Sequence, residues 1–455
     1  MRIGIDARPL LDGQASGVGT YARGIFEALF RLGTEHSFIL FSNAFRGGVT
    51  TGGSLTAERK LAFGAAACTG RPAWSRELFK RASGGPSAGR SSAGDDRPGA
   101  ARRTVSFPPD SLPAGRQGSA GEPALESFSK YQNVRIKSFR IPNKLFHASI
   151  ALTRRPYIDE MLGGVDLMFF PNIHFVAVSP RVPVVSVFFD VSYLTHRGLL
   201  SAKRRAWHRL VNPRRLAERS NAIVTLSRHS KENIVTHVGV APDRVHVIPP
   251  GCSEPPPGHL SPLKQDTYIA VLSDLEPRKN INSVIEAVRR VNMNLFEPVR
   301  CVIVGREGWN TSYVKALHRL AEKNPSIEFR GYVSEQEKWN VLAGAKAFVY
   351  ASFEEGFGFP PLEAMRVGTP VIASSLASLP EVLGNAAFYV NPYDASEIAH
   401  GLSAVLTDAS LQETLIARGR ERATLYSWDR SARSILQLFH NVGSACLPVG
   451  RNPHI

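Results

Sequence analysis

The sequence predicts an α/β protein made of two doubly wound parallel sheets that face one another across a cleft. Short apolar runs of strand length alternate with segments of helical periodicity. This alternation runs through the chain twice, and a stiff joint, Pro255–Pro257 followed by Gly258, separates the two passes. Strands that alternate with helices belong to parallel sheets, because a parallel neighbour can only be reached through a crossover. Ligands then sit at the carboxyl ends of the strands.

The first pass opens with "RIGIDARPL", a short buried strand. In "GVGTYARGIFEALFRLG" the residues Tyr21, Ile25, Leu29 and Leu32 fall on one face of a helix, with Gly33 as its C-cap. "HSFILFSN" is the next strand, and then periodicity fails. Residues 47–130, which include "RASGGPSAGRSSAGDDRPGAARR", are rich in Gly, Ser, Ala, Pro and Arg. Such a segment lacks the apolar surface to offset its ordering entropy, so it is expected to be a disordered insertion without chemistry. "VDLMFFPN", "VPVVSVFFD", "AIVTLS" and "RVHVIPPG" complete this half. The second pass supplies "YIAVLSD", "VRCVIVG", "IEFRGYV", "AKAFVYAS", "PVIAS" and "AFYVNP", with intervening helices such as those from about Ile281 and Ser312. The expected domains are 1–258 and 259–427. In 428–455 an amphipathic helix, within "YSWDRSARSILQLF", is expected to pack back towards the first domain.

Chemistry concentrates in "FEEGFGFPPLEAMRVG", where seven residues separate Glu355 from Glu363. "AFVYAS" is a strand, and Pro360 and Pro361 suit a first helical turn, where their missing N–H groups would be unpaired anyway. Gly368 is the C′ stop. Glu355 then lies at a strand end and Glu363 in the first turn of the helix. Gly356 and Gly358 strip side chains from the loop, so N–H groups from Gly356 through Phe357 to Phe359 can approach a ligand closely. The helix N-terminus adds positive potential. N–H donors between two carboxylates suit a ligand that bears both hydroxyls and phosphates. A lone Glu here would merely complement a helix dipole; the strand, glycine loop and helix together give the pair its meaning. "LEPRKN" places Arg278 and Lys279 after the first strand of the second half, with Asn280 expected to cap the next helix. Gly17-x-Gly19-x-x-Ala22 imitates a dinucleotide fingerprint, but roughly ten residues separate it from its strand, which that motif should follow directly.

Further segments occur in a telling order: "GVGTYARGIFEAL", "LSRHSKENIV", "RVHVIPPG", "LEPRKN", "VIVGREGW", "FRGYVSEQE", "ASLPEVLGNAAFYVNP" and the closing "YSW". Together with Glu-x7-Glu they make the chain resemble the retaining glycosyltransferases of family 4, over nearly everything outside 47–130. The resemblance implies the GT-B fold of two facing Rossmann-like domains, acceptor side first and nucleotide-sugar side second. It implies that Glu355 contacts hydroxyls of the donor sugar and that Glu363 grips the ribose. The basic pair Arg278 and Lys279 resembles the family's diphosphate clamp, since fixed cations stabilise the negative charge that builds as a nucleoside diphosphate departs. The resemblance also implies that Gly17 and Gly19 line the cleft and that Tyr332 and Val333 border the base. Relatives commonly carry His followed by Asp after the strand "VPVVSVF", whereas this chain has Phe189 and Asp190. Phe cannot donate a hydrogen bond. Asp190 or a neighbour such as His196 then takes over, or the acceptor differs, or activity is reduced. Ser273 and Asp274 replace a glycine common before "LEPRKN", which leaves fewer uncharged N–H donors near the phosphates.

The activity so implied is hexose transfer with retention, mannose from GDP-mannose ahead of UDP-sugars, to a saccharide or lipid-linked acceptor in cell-surface polysaccharide synthesis. No cofactor and no metal is expected, and no DxD pair lies near the cleft motifs. The rival class is a degenerate, non-catalytic member that binds a sugar nucleotide or a partner protein, with Phe189 its only support.

Composition bounds the remainder. Among 455 residues, Cys68, Cys252, Cys301 and Cys446 show neither CxxC nor Cys/His spacing, which points to reduced thiols. Asp6 and Arg8 interrupt the apolar core that a signal peptide would need, and no apolar run approaches the roughly 20 residues of a spanning helix. A cytoplasmic protein follows, free to touch the inner membrane face. The formal charge is +16; residues 47–130 contribute 12 Lys/Arg against 7 Asp/Glu. The densest cluster, 203–219, holds Lys203, Arg204, Arg205, Arg209, Arg214, Arg215 and Arg219 against Glu218. It is either a solvated helical face or a patch for anionic lipid or a phosphorylated acceptor. Nucleic acid is not expected, because no binding motif accompanies the charge.

Overall fold

Strands buried on both faces must be apolar nearly throughout, and the inner strands among the described residues read that way, whereas the edge strands Val134–Phe139 and Ile327–Gly331 carry charged side chains and are only partly buried. In the first sheet β1 (Arg2–Asp6), β2 (Ser37–Asn43), β3 (Val134–Phe139), β4 (Leu167–Phe170), β5 (Val184–Val187), β6 (Ala222–Thr225) and β7 (Val245–Val247) run parallel in the order β3-β2-β1-β4-β5-β6-β7. The second sheet has β8 (Tyr268–Leu272), β9 (Arg300–Val304), β10 (Ile327–Gly331), β11 (Ala347–Tyr350), β12 (Val371–Ser374) and β13 (Ala387–Val390), parallel in the order β10-β9-β8-β11-β12-β13. The structure is a computed structural model and describes residues 1–11, 17–43, 125–196, 198, 200–258, 260–261, 267–295 and 297–446.

Each sheet reverses its strand order once. The reversal lies between β1 and β4 in the first sheet and between β8 and β11 in the second. Chain leaving the carboxyl ends of neighbouring strands there diverges to opposite faces and opens a crevice. The loop after β8 carries Arg278 and Lys279, and the loop after β11 carries Glu355, so topology alone sets these residues side by side.

The closing helix Trp428–Cys446 lies against the helix Gly17–Leu32, with Arg31 paired to Asp429 and Phe439 edge-on to Phe169 of β4 at 5.2 Å. Trp428 enters a slot that only glycines can form. A Cβ at Gly24 would lie 2.3 Å from its ring, and one at Gly251 would lie 2.4 Å away. Among the described residues no helix is long and apolar enough to cross a membrane.

Most of the expected insertion, 47–124, lies outside the described residues. Its last six residues require a correction. Ser127–Lys130 form a 3-10 turn, and Leu125 and Phe128 are buried in the first core, Phe128 edge-on to Phe30 at 5.3 Å. Two apolar side chains within a polar stretch were enough to anchor its end. A chain in which a short Gly/Ser linker joins Asn43 to Leu125 is therefore expected to unfold cooperatively in urea with the wild-type midpoint. Phe128→Ala should cost about 3–5 kcal/mol in the same measurement.

Candidate active site

Glu355 leaves β11 for the crevice and is 7% exposed. Its carboxylate meets Lys279 Nζ at 2.6 Å and Arg278 Nη1 at 3.1 Å, and Lys279 also donates to Tyr350 Oη at 2.8 Å. Burial would raise the Glu355 carboxyl, but Arg278 and then Lys279 outweigh it and hold it at about 2. Burial likewise disfavours the Arg278 cation, and Glu355 reverses that. Two cations against one carboxylate leave the trio with positive charge to spare, which suits an incoming anion.

The glycine loop is held by its carbonyls. Ser227 and Ser230 donate to Gly356 O at 2.8 and 3.2 Å, and Ser378 donates to Glu355 O at 2.9 Å and Phe357 O at 3.2 Å. A Cβ on Gly356 would lie 2.2 Å from Phe189 O, so this glycine is what allows the two halves to touch. Gly358 has φ 102°, in the left-handed region that favours glycine. That turn starts the helix at Phe359, which moves Glu363 beyond the first turn expected for it. Glu363 is buried and pairs with Lys338 Nζ at 3.0 Å, and Lys338 also meets Glu335 at 2.8 Å. Burial disfavours the Lys338 cation, but the two carboxylates raise it above its ordinary value.

A cavity of about 370 Å³ brings together every residue expected at the site except Gly19. Gly17, Asp190, Arg278, Lys279, Tyr332, Val333, Glu355, Gly356, Phe357, Gly358, Phe359 and Glu363 all line it. Gly19, two residues further round its helix than Gly17, lines an adjoining cavity between the same two halves, which shares Thr20, Tyr332 and Glu335 with the first. Phe357 itself packs inward on Tyr426 at 5.3 Å, so it serves the site through its backbone. Asp190 Oδ1 accepts from Ser192 N and Oγ at 2.9 and 2.7 Å. The Phe189 ring packs edge-on to Tyr21 at 5.2 Å. His196 bonds Thr195 Oγ1 at 2.9 Å and lines an adjoining cavity, apart from Glu355.

Asn280 departs from expectation. It holds the N-cap position, but its amide makes no cap bond and instead donates to Ala351 O and Pro392 O at 3.1 and 2.7 Å. It therefore ties the exits of β11 and β13 together. Asp274 is answered by Arg306, which donates to it at 2.8 Å and offsets its charge. Lys338, Arg306 and the serines were not legible in the sequence. They come from several elements, Ser227 and Ser230 together from the start of the helix Arg228–Val238, and only the i,i+3 spacing of Glu335 and Lys338 gave any local signal. The same holds for a junction between the halves. Glu381 accepts from Arg228 N at 2.9 Å and from His229 N at 3.3 Å, and His229 Nε2 lies 2.8 Å from Glu354 Oε1. Among the described residues no three His, Cys, Asp or Glu side chains gather as a metal ion would need.

Paired switch points and a carboxylate gripped by two cations define a glycosyltransferase of the GT-B architecture. Residues 116–253 match the family described as Glycosyltransferase Family 4, and residues 259–422 match Glycosyl transferases group 1. The chain belongs to glycosyltransferase family 4 and is a hexosyltransferase. It is 28% identical over 330 residues to the O-antigen chain mannosyltransferase B of Escherichia coli, covering 69% of this chain and 82% of that protein. It is 29% identical over 237 residues to the serotype-specific mannosyltransferase WbdA of Escherichia coli, covering 49% of this chain but only 29% of the longer WbdA. In fold it is similar to Anabaena HepE in complex with UDP and glucose, with TM-score 0.60 and 15% identity over 97% of this chain and all (100%) of that one. Sucrose-phosphate synthase from Thermosynechococcus elongatus gives TM-score 0.59 and 16% identity over 98% of this chain and 100% of that one.

The depressed Glu355 carboxyl has a consequence for acid stability. The folded protein releases this proton down to about 2, whereas an ordinary glutamate takes it up near 4.5. Below that value the unfolded chain binds the proton first, so the stabilisation is complete above about 4.5 and fades as the pH falls towards 2. Glu355→Gln should accordingly flatten the acid limb of the urea-unfolding free energy measured from pH 6 to pH 3.

Proposed function

We propose that this enzyme transfers mannose from GDP-mannose to a saccharide acceptor with retention of anomeric configuration. The observation that carries the proposal is Glu355 buried between Arg278 and Lys279 at the switch point of the second sheet. Mannosyltransferases among the relatives, including the MMP alpha-(1->4)-mannosyltransferase of Mycolicibacterium hassiacum, support the sugar. The diphosphate would draw Arg278 and Lys279 from Glu355, leaving that carboxylate to meet the hydroxyls of the sugar and its developing positive charge. The C1–O bond breaks with its electron pair passing to the nucleoside diphosphate, whose new charge the two cations stabilise. The acceptor oxygen bonds C1 from the same face, and its proton passes to the departing phosphate. Glu363, steadied by Lys338, holds the ribose. No metal takes part in this scheme.

Transfer from GDP-mannose and UDP-glucose, measured in excess EDTA, tests these roles. Glu355→Ala should lower kcat by roughly two to three powers of ten, about 2.7–4 kcal/mol, and Lys279→Ala should fall with it. Glu363→Gln should chiefly raise the donor KM, as expected when uniform binding is lost. Near-normal kcat in Glu355→Ala with turnover abolished in Glu363→Gln would reverse the roles, and activity that vanishes with EDTA would restore a metal.

We infer further that the helix Ala202–Val211 contacts anionic membrane. It buries none of its residues, and Trp207 and Leu210, 36% and 63% exposed, accompany its basic side chains. Arg219 does not belong to this surface, because it folds inward and donates to Ser179 O and Val182 O at 2.8 and 2.6 Å. Each basic residue near such a surface contributes on the order of 1 kcal/mol. Reversing the charge of Lys203, Arg205 and Arg209 should release the protein from phosphatidylserine vesicles in a sedimentation assay. Equal binding by wild type and variant would return the helix to a solvated face.

A further inference from the structure

Tyr350 closes β11 and lines the donor cavity, although it is only 3% exposed. Tyr268, in the neighbouring β8, is buried as well, and its hydroxyl donates to the main-chain Val341 O at 2.8 Å. That bond fastens a helix to the sheet. The Tyr350 hydroxyl instead meets the charged groups of the site. It accepts from Lys279 Nζ at 2.8 Å, and the same ammonium stands 5.0 Å from the centre of its ring. Packing alone would be served by a phenyl ring, as it is two residues earlier on the same face, where Phe348 stacks on Tyr350 with planes 21° apart. The oxygen therefore has another use.

An ammonium has three N–H donors. Glu355, at 2.6 Å, and Tyr350 take two from Lys279 and leave one for an anion in the cavity. A phenol that accepts from a lysine still has its own proton to give. Burial, and after it the charge of Glu355, raise the Tyr350 phenol well above its ordinary value, so it stays protonated, within hydrogen-bonding reach of Glu355. The other charges here are Arg278, which faces Glu355 beside Lys279, and Glu276 and Asp190, which bear on Arg278. When a diphosphate draws both cations away, Glu355 is left as a buried carboxylate, and such a group stays ionised only where hydrogen bonds hold it. Tyr350 is a donor already in place.

We propose that Tyr350 is a positioning residue for the transfer. Its hydroxyl keeps hold of Lys279 as the diphosphate binds, and it bonds to Glu355 when that lysine turns to the phosphates. The carboxylate then stays ionised and aimed at the sugar, and one lysine serves two anions in turn. This role rests on the donor site proposed above.

The test uses the full chain with GDP-mannose and UDP-glucose as donors and methyl α-D-mannopyranoside as acceptor. Release of nucleoside diphosphate is followed from neutral into acid pH. Tyr350→Phe should lower kcat about tenfold with the donor KM within about twofold, and should move the acid limb of kcat about one pH unit higher. The acid limb of kcat/KM should stay in place, because it reports the free enzyme, in which Arg278 and Lys279 still hold Glu355. Incorporation of 3-fluorotyrosine at position 350 alone, a stronger donor of nearly the same shape, should move the kcat limb the other way. Tyr268→Phe, the structural counterpart, should lower the unfolding midpoint and move neither limb. An acid limb of kcat that stays in place in both position-350 variants, in an enzyme that Glu355→Ala disables, overturns the proposal, whatever becomes of kcat or stability. A wild type that consumes neither donor, or a Glu355→Ala variant as fast as wild type, overturns the donor site and this role with it.

Discussion

Two cations and one carboxylate share a buried pocket, and much of the second sheet is arranged to keep them there. Desolvating charge is expensive, and such a group survives only where geometry and hydrogen bonds are fixed. Lys279 and Arg278 come from the exit of β8, and Glu355 comes from the exit of β11, its neighbour across the strand-order reversal. Backbone contacts brace the two loops, with Phe353 N donating to Arg278 O at 3.0 Å. Asn280 gives up its role as a helix cap to join the ends of β11 and β13. The trio is thus preorganised by main chain and by neutral amides, so an anion can displace the internal pairing without remaking the fold.

The same loop joins the two halves, and it does so with backbone. Phe189 O lies against Gly356, and Ser230 donates to both carbonyls at 3.0 and 3.2 Å. Because the join uses the Phe189 carbonyl, a change of side chain at that position leaves it intact, and the ring finds its place against Tyr21. Family membership, with the trio assembled, disfavours a degenerate binding protein. Trp428 bridges from the other side, with its ring plane 19° from that of Phe359 and 66° from that of Tyr21.

Charge is divided between the interior and the surface. Arg8 pairs with Asp6 at 2.6 Å in the core of the first domain, and Arg244 and Arg219 terminate backbone carbonyls near β5 and β6. Such arginines replace hydration by several fixed acceptors at once, which a planar guanidinium can do and a point charge cannot. The formal excess of basic residues therefore overstates the charge offered to a partner.

The order of strands and helices, the two sheets, and the carboxylates and basic pair of the cleft were all legible in the sequence. Period, glycine spacing and proline position are local signals, and they act over a few residues. Local signals failed where a side chain had a distant alternative. Asn280 has the chemistry of a cap but reaches two carbonyls across the sheet. Leu125 and Phe128 lie in polar sequence but find an aromatic core. Lys338 beside Glu363, Arg306 over Asp274 and the Tyr350 hydroxyl on Lys279 exist as features only once separate strands have been set in register. The sequence by itself determined which elements form and which chemistry they carry. The tertiary structure decided which charges meet, because pairing depends on distances of a few ångströms between residues tens or hundreds of positions apart.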